Sequence, residues 1–171
     1  MNFVRMEIEN KITEQEIWKA LENVSDPEIP VISVIDLGII SGVNIGADGK
    51  VTIKMTPTFA GCPAIKYMQD DIKAKMQTLT GAENVAVLVD FENRWNSNKI
   101  TEKGRAALKN FGLAPPVRYA KEFRVETLAQ ANCPYCGSAN TTFKTPFGST
   151  LCRSIHYCND CKQSFEQFKP L

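Results

Sequence analysis

The stretch Thr56-Pro57-Thr58-Phe59-Ala60-Gly61-Cys62-Pro63-Ala64 joins a predicted strand to a predicted helix. Before it, every second residue is apolar at Val51, Ile53 and Met55, which predicts a strand with one buried face. After it, apolar residues recur at the spacing of one helix face: Ile65, Met68, Ile72, Met76 and Leu79. The stretch is therefore predicted to be a tight strand-to-helix turn that carries a cysteine.

Cys62 is predicted to be the N-cap of this helix, because Pro63 suits the first helical turn, where no backbone N–H is needed. Free N–H groups and the positive end of the helix dipole converge there. Such positions stabilise a thiolate and lower the cysteine pKa to about 3.5–7.5 from about 8.5. The alternative is that Cys62 is a small buried residue at a tight turn.

The remaining elements of this half of the chain are predicted from local signals. They are a helix from the capping box at Thr13 and Glu16 to about residue 23, strands over 39–45 and 51–56 joined by a hairpin at 46–49, a helix ending near Thr80, a strand over 85–91, and a helix from Thr101 to about residue 111. The order α-β-β-α-β-α predicts an α+β fold, in which helices pack on one face of a small mixed or antiparallel sheet.

Two Cys-x-x-Cys pairs, Cys133/Cys136 and Cys158/Cys161, predict a second unit. Each pair can present two sulfurs to one ion, and four thiolates are the ligand set of a structural zinc site. Possible strands over 141–145 and 154–157 lie between the pairs, as a zinc ribbon requires. Zinc is favoured over rubredoxin-type iron, which stays open. The predicted division is an α+β domain over 1–117, a linker over 118–129 and a zinc ribbon over 130–171.

Two further residues of the ribbon have more than one interpretation. Cys152 is either a small packed residue or an additional thiolate for a transient cluster. His156, the one histidine of the chain, is interpreted as an ordinary strand residue because four cysteines already fill a zinc shell.

Composition excludes several classes of function. The net charge of the 171 residues is +1, and residues 126–171 carry four basic and three acidic side chains, too few for phosphate-driven nucleic-acid binding. No apolar run approaches the roughly 18 residues of a membrane span. Six cysteines without a secretory signal predict a reducing cytoplasm. No catalytic motif is present.

Several segments together resemble a known family. Residues 26–31 (DPEIPV), 36–40 (DLGII) and 56–63 (TPTFAGCP) are similar to the iron–sulfur assembly domain that SufT-like proteins share with PaaD. Residues 100–105 (ITEKGR), 111–116 (FGLAPP) and the ribbon, including FGST at 147–150, narrow the resemblance to the PaaD (PaaJ) family, the D component of the phenylacetyl-CoA epoxidase system.

The resemblance implies a non-catalytic maturation factor of phenylacetate degradation. Its implied partners are other cluster-assembly proteins and the epoxidase reductase, whose [2Fe–2S] cluster it would supply or maintain. Cys62 matches the reactive cysteine of the family, and Asp26, Glu28, Thr58 and Cys152 are further candidates for handling iron or a transient cluster. A homodimer that shares ligation through Cys62 is also open.

Two alternatives belong to other classes of function. One is a zinc-ribbon module that binds protein or nucleic acid, against which the weak charge argues. The other is a thiol-redox protein that uses Cys62, against which the lack of a resolving cysteine nearby in the sequence argues.

Overall fold

Residues 12–81, 85–119 and 125–171 are described by the computed structural model. Its first half contains α1 (Glu14–Leu21), β1 (Ile40–Ile45), β2 (Val51–Met55), α2 (Ala64–Thr80), β3 (Val85–Val89) and α3 (Glu102–Asn110). The predicted order of elements and the α+β class are confirmed. The third strand ends two residues earlier than predicted, and Phe91 is exposed.

The first sheet has the order β1-β2-β3, with β1 antiparallel and β3 parallel to β2. The hairpin closes where Gly46 N–H donates to the Lys50 carbonyl at 2.8 Å. Helix α1 contacts β1, helix α2 contacts β3, and the two helices contact each other. The inward residues of β2 are fully buried. The alternation of buried apolar and outward polar residues in β2 thus defines one wall of the core.

Helix ends follow the local signals closely. The capping box of α1 is present, since the Thr13 hydroxyl accepts the Glu16 N–H and the Glu16 carboxylate accepts the Thr13 N–H. Met68, Ile72 and Met76 of α2 are buried as predicted. The prediction for Leu79 is wrong: it lies in the last turn and is 44% exposed.

The long connection between α1 and β1 is shaped by hydrogen bonds from distant residues. Trp95, which is buried, donates its indole N–H to the Leu37 carbonyl at 3.1 Å. Gly38 has φ +71°, and a Cβ there would lie 2.5 Å from the Lys99 carbonyl oxygen. Only glycine accepts this backbone and this close approach together. Gly38 therefore lies in a tightly packed turn.

The second sheet has the order β4-β7-β6-β5, and the sequence predicts only half of it. Strands β5 (Thr141–Thr145) and β6 (Arg153–Cys158) match the prediction, whereas β4 (Leu113–Ala114) and β7 (Ser164–Phe168) are additional. Short β4 pairs in parallel with β7, although the two strands are separated by some 50 residues. The pairing depends on the docking of the two halves, and no local signal carries it.

The two halves share one hydrophobic core. Cys152 and Phe168 belong to the same buried cluster as the residues of α1, α2 and β2, and the rings of Trp95 and Phe168 are 5.8 Å apart. Contacts between the two halves are therefore part of the hydrophobic core. The division into 1–117, 118–129 and 130–171 stays a prediction. None of the helices in the described ranges is long and apolar enough to cross a membrane.

Candidate thiol pocket and metal centre

The four ribbon cysteines converge on one point. The sulfur atoms of Cys133, Cys136, Cys158 and Cys161 all lie within 4.8 Å of one another. The distance from Cys133 Sγ to Cys161 Sγ is 3.6 Å and that from Cys136 Sγ to Cys158 Sγ is 3.5 Å. A tetrahedral ion with metal–sulfur bonds of about 2.3 Å separates its sulfurs by roughly 3.8 Å. The donor set and its geometry therefore fit a four-thiolate metal site.

The two Cys-x-x-Cys turns have the same backbone structure. In each turn the carbonyl of the first cysteine accepts the N–H of the residue four positions later. The donors are Gly137, at 2.9 Å, and Lys162, at 3.0 Å. The N–H of the first cysteine donates to the carbonyl five positions on, at 2.9 Å in both turns. Gly137 and Lys162 both have positive φ, at 78° and 61°. The ribbon thus presents its four sulfurs from two equivalent turns.

The thiols of this centre influence one another. Backbone N–H groups of Cys161 and Asp160 lower the pKa of Cys158 to about 7. Burial and the neighbouring sulfurs raise the pKa of Cys161 to about 12. Four sulfurs in such a small volume cannot all carry negative charge without a cation between them.

His156 lies outside the four-sulfur centre, as the sequence predicted. It is fully buried in β6, stacked on Phe165 and edge-on to Phe143, with both ring centroids at 5.4 Å. Burial lowers the pKa of His156, so the ring is a neutral part of the ribbon core at neutral pH.

Cys62 opens into a pocket of about 330 Å³ that both halves of the chain line. The first half contributes Glu28, Phe59, Cys62 and Pro63, and the second half contributes residues 147–152. Cys62 and Cys152 thus reach one pocket although they are 90 positions apart in sequence. Three of the predicted site residues, Glu28, Cys62 and Cys152, therefore line one pocket.

Cys62 precedes the helix cap and is not the cap itself, which corrects the prediction by one residue. Pro63 is the N-cap and α2 begins at Ala64. Burial raises the pKa of Cys62 above its usual value, although the Ala64 N–H lowers it, and the charges of Glu28 and Asp26 raise it further. The expected thiolate stabilisation is therefore wrong, because burial and two carboxylates outweigh one backbone donor.

Cys152 is buried, and its sulfur lies 3.1 Å from the Thr150 hydroxyl. Burial raises the pKa of Cys152, while Thr150 and Arg153 lower it and the carboxylates of Glu28 and Asp26 raise it. The same two carboxylates thus act on both thiols. A negative charge on either sulfur requires a compensating cation nearby.

Of the other predicted site residues, one lines this pocket and two do not. Glu28 lines it. Asp26 is buried and accepts the N–H groups of Glu28 and Ile29 at 2.7 and 2.9 Å, so its carboxylate closes a turn. Burial raises the pKa of Asp26, and these two N–H groups lower it in part. Thr58 instead lines a neighbouring pocket of about 420 Å³ that does not include Cys62.

Arg153 is a residue of the site that sequence reasoning missed. Its Nη2 donates to the Glu28 carbonyl at 3.1 Å, and its Nη1 donates to Glu166 at 3.0 Å and to the Ser149 hydroxyl at 3.2 Å. The guanidinium therefore ties the turn that carries Glu28 to the loop that carries Cys152. Its position beside Cys152 is the one sequence signal that pointed to it.

Two family models match separate parts of the chain. Residues 14–89 match the model described as iron–sulfur cluster assembly protein. Residues 119–169 match the model described as PaaD zinc beta ribbon domain. The first match contains Cys62, and the second contains the four-cysteine centre and Cys152.

Curated relatives are of two sizes. A protein of Escherichia coli K12, provisionally named as the D component of 1,2-phenylacetyl-CoA epoxidase, is 34% identical over 154 residues, which are 90% of this chain and 91% of that protein. A protein of Porphyromonas gingivalis W83 named Fe–S protein maturation auxiliary factor is 41% identical over 96 residues, which are 56% of this chain and 90% of that protein.

Solved structures cover a share of the chain similar to that of the shorter relative. A domain of unknown function from Bacillus anthracis is 26% identical with a TM-score of 0.52, covering 56% of this chain and 90% of that chain. A conserved hypothetical protein from Thermotoga maritima is 26% identical with a TM-score of 0.50, covering 60% of this chain and 97% of that chain.

Proposed function

This chain belongs to the PaaD family, and we propose that it is a non-catalytic maturation factor that handles iron or an iron–sulfur cluster through Cys62. The observation that carries the proposal is the position of Cys62 in the lining of a pocket, within the part that matches an iron–sulfur cluster assembly protein. A half-buried thiol beside carboxylates is suited to a cation and poorly suited to ionise alone.

A thiol-redox function is the second candidate. Cys152 favours it, because Cys152 lines the same pocket as Cys62 and a resolving cysteine needs that position. Two features weigh against it. The pKa values of both thiols are raised, which lowers the fraction of attacking thiolate. Among the described residues, no histidine, lysine or arginine lines the pocket to activate a thiol.

We also propose that the four ribbon cysteines hold one structural zinc ion. Metal binding and folding are coupled in modules of this kind. Purified protein is expected to contain about one zinc per chain, and Cys133→Ser or Cys161→Ser is expected to lose the zinc and unfold the ribbon. Metal analysis that finds neither zinc nor iron above background would refute this assignment.

The client we propose is the [2Fe–2S] reductase of the phenylacetyl-CoA epoxidase system. The proposal follows from the name of the relative that spans nearly the whole chain, whereas the shorter relative from Porphyromonas gingivalis is named a maturation factor without a pathway. The exposed aromatic side chains at the pocket rim, Phe59 and Phe147, offer an apolar surface for a partner. A cytoplasmic location and a role without nucleic acid stay predictions.

The test compares reductase purified from cells that carry wild-type protein, Cys62→Ser or no copy of this chain. Cys62→Ser is expected to leave the reductase as short of iron and sulfide as in cells without the protein. Ala60→Ser, an exposed change in the same turn, is the matched control and is expected to behave as wild type. Equal cluster content with wild type and Cys62→Ser would overturn the role of Cys62, provided that cells without the protein are deficient.

A further inference from the structure

We infer that Cys62 and Cys152 together form a two-thiolate site for Fe(II), or a borderline divalent cation such as Co(II), across the seam between the two halves. The inference rests on the proposed function and deepens it, because it gives the ribbon a direct part in holding the cargo. The two sulfurs line one pocket, and no sulfur of the four-cysteine centre lines it.

The loop that carries Cys152 is held in place before any ion binds. The Glu166 carboxylate accepts both the N–H and the hydroxyl of Ser149, the latter at 2.9 Å. The Gly148 N–H donates to the Arg153 carbonyl at 3.0 Å, and the Arg153 N–H donates to the Thr150 carbonyl at 3.1 Å. Preorganisation of this kind lowers the entropy that a ligand must lose on binding metal.

Carboxylates near the two thiols favour a cation, whereas the basic side chains of Arg153 and Lys169 interact with Cys152 in the opposite sense. Glu28 lines the pocket, and the carboxylates of Glu28 and Asp26 both act on each sulfur. Arg153, which follows Cys152 in the chain, is already paired with Glu166 and with the Glu28 carbonyl. Two thiolates with a carboxylate at hand select a soft or borderline divalent metal over magnesium or calcium.

The ligand count also differs from that of the ribbon centre. Four thiolates close a structural site, whereas two thiolates leave coordination positions open. Phe147 and Leu151, which line the pocket, are exposed to solvent. Sulfide or the thiolates of a client can therefore complete the shell, which is what a carrier that releases its cargo requires.

The binding step releases two protons. Each thiol loses its proton to solvent, two metal–sulfur bonds form, and the metal loses bound water without any change of oxidation state. Cobalt(II) is the probe, because its thiolate complexes absorb in the near ultraviolet in proportion to the number of bonded sulfurs. The zinc-loaded full chain is titrated anaerobically with cobalt(II), and absorbance, proton release and released zinc are measured together.

Wild type is expected to bind one cobalt with two thiolate bonds and two protons released, without loss of zinc. Cys62→Ser and Cys152→Ser are each expected to halve the absorbance and to weaken binding roughly tenfold or more, since even outer-shell losses cost about 10–100-fold. Unchanged binding in Cys152→Ser overturns the inference and leaves the proposed role of Cys62 intact. Failure of the reductase experiment removes the proposed function itself.

Because Cys152 is buried, its variant is accepted only with wild-type zinc content and cooperative melting. X-ray absorption at the cobalt edge of wild-type protein gives an answer that needs no variant. Two sulfur neighbours support the site, and one or none overturns it. Four sulfur neighbours with release of zinc show exchange at the ribbon and also overturn it.

Discussion

Replacing Arg153 by methionine removes the side chain that joins the two halves at the pocket while it keeps much of the apolar stem. Arg153 is 9% exposed, and its guanidinium donates to the Glu28 carbonyl, the Ser149 hydroxyl and the Glu166 carboxylate. Methionine can fill the space of the stem but donates none of these hydrogen bonds.

The expected loss follows from the partners that remain. Removal of one member of a buried ion pair costs about 3–5 kcal/mol, and a hydrogen bond to a charged group contributes about 1.5–3 kcal/mol. The Glu166 side chain is 27% exposed and keeps the N–H and hydroxyl of Ser149. We therefore expect Arg153→Met to lower the free energy of unfolding by about 2–3 kcal/mol, below the full cost of an isolated buried charge.

Urea unfolding of the zinc-loaded protein measures this loss, with Arg118→Met as the matched control. Arg118 pairs with Glu102 on the surface, where both side chains are at least half exposed, and such pairs contribute little. Arg118→Met should leave the urea midpoint nearly unchanged. Equal shifts for the two variants, or no shift for Arg153→Met, would refute the reasoning that the Arg153 contacts hold the halves together.

Three further predictions concern the ribbon, the first core and their junction. Positions 137 and 162 both have positive φ, which glycine adopts without strain. Lys162→Gly is therefore expected to stabilise the protein by about 0.5–1 kcal/mol, and Gly137→Ala to destabilise it by about 1 kcal/mol. Melting temperatures that shift in the same direction for the two variants would contradict this. Burial raises the pKa of Asp36, but hydrogen bonds from Thr101, Lys103 and Ser33 bring it below its ordinary value. The stabilisation by Asp36 is therefore complete above the unfolded-state pKa of about 3.9 and lost as the pH falls through the folded value. Asp36→Asn should cost about 2 kcal/mol at pH 7 and progressively less below about pH 4 in urea titrations, and a pH-independent cost would contradict the assignment. A chain that ends at residue 117 is expected to fold but to melt roughly 10 °C lower, because Phe168 no longer covers its core; an insoluble product would count against the predicted domain.

Features set by neighbouring residues could be predicted from the sequence. The capping box at Thr13, the hairpin at 46–49 and the helix face of Met68 and Ile72 each depend on residues within a few positions. The four-cysteine centre is also readable, because two Cys-x-x-Cys turns place their sulfurs by local geometry before they meet.

Features set by the docking of the two halves could not be predicted. Strand β4 has two residues, and its pairing with β7 has no periodic signal. The hydrogen bond from Arg153 to the Glu28 carbonyl joins positions 125 residues apart. The direction of the Cys62 pKa shift could not be predicted for the same reason, since loop 147–152 lines the pocket of Cys62 and the charge of Asp26 raises the pKa of Cys62.

We propose that this chain promotes cluster assembly on a client through Cys62. The most direct measurement follows the visible absorbance of the [2Fe–2S] cluster as it forms on purified apo-reductase, with ferrous iron, a sulfide source and either wild-type protein or Cys62→Ser. Both proteins must first show equal zinc content and equal melting. We expect faster or more complete cluster formation with wild type, and with Cys62→Ser no more cluster than without added protein. Equal promotion by both proteins would contradict it.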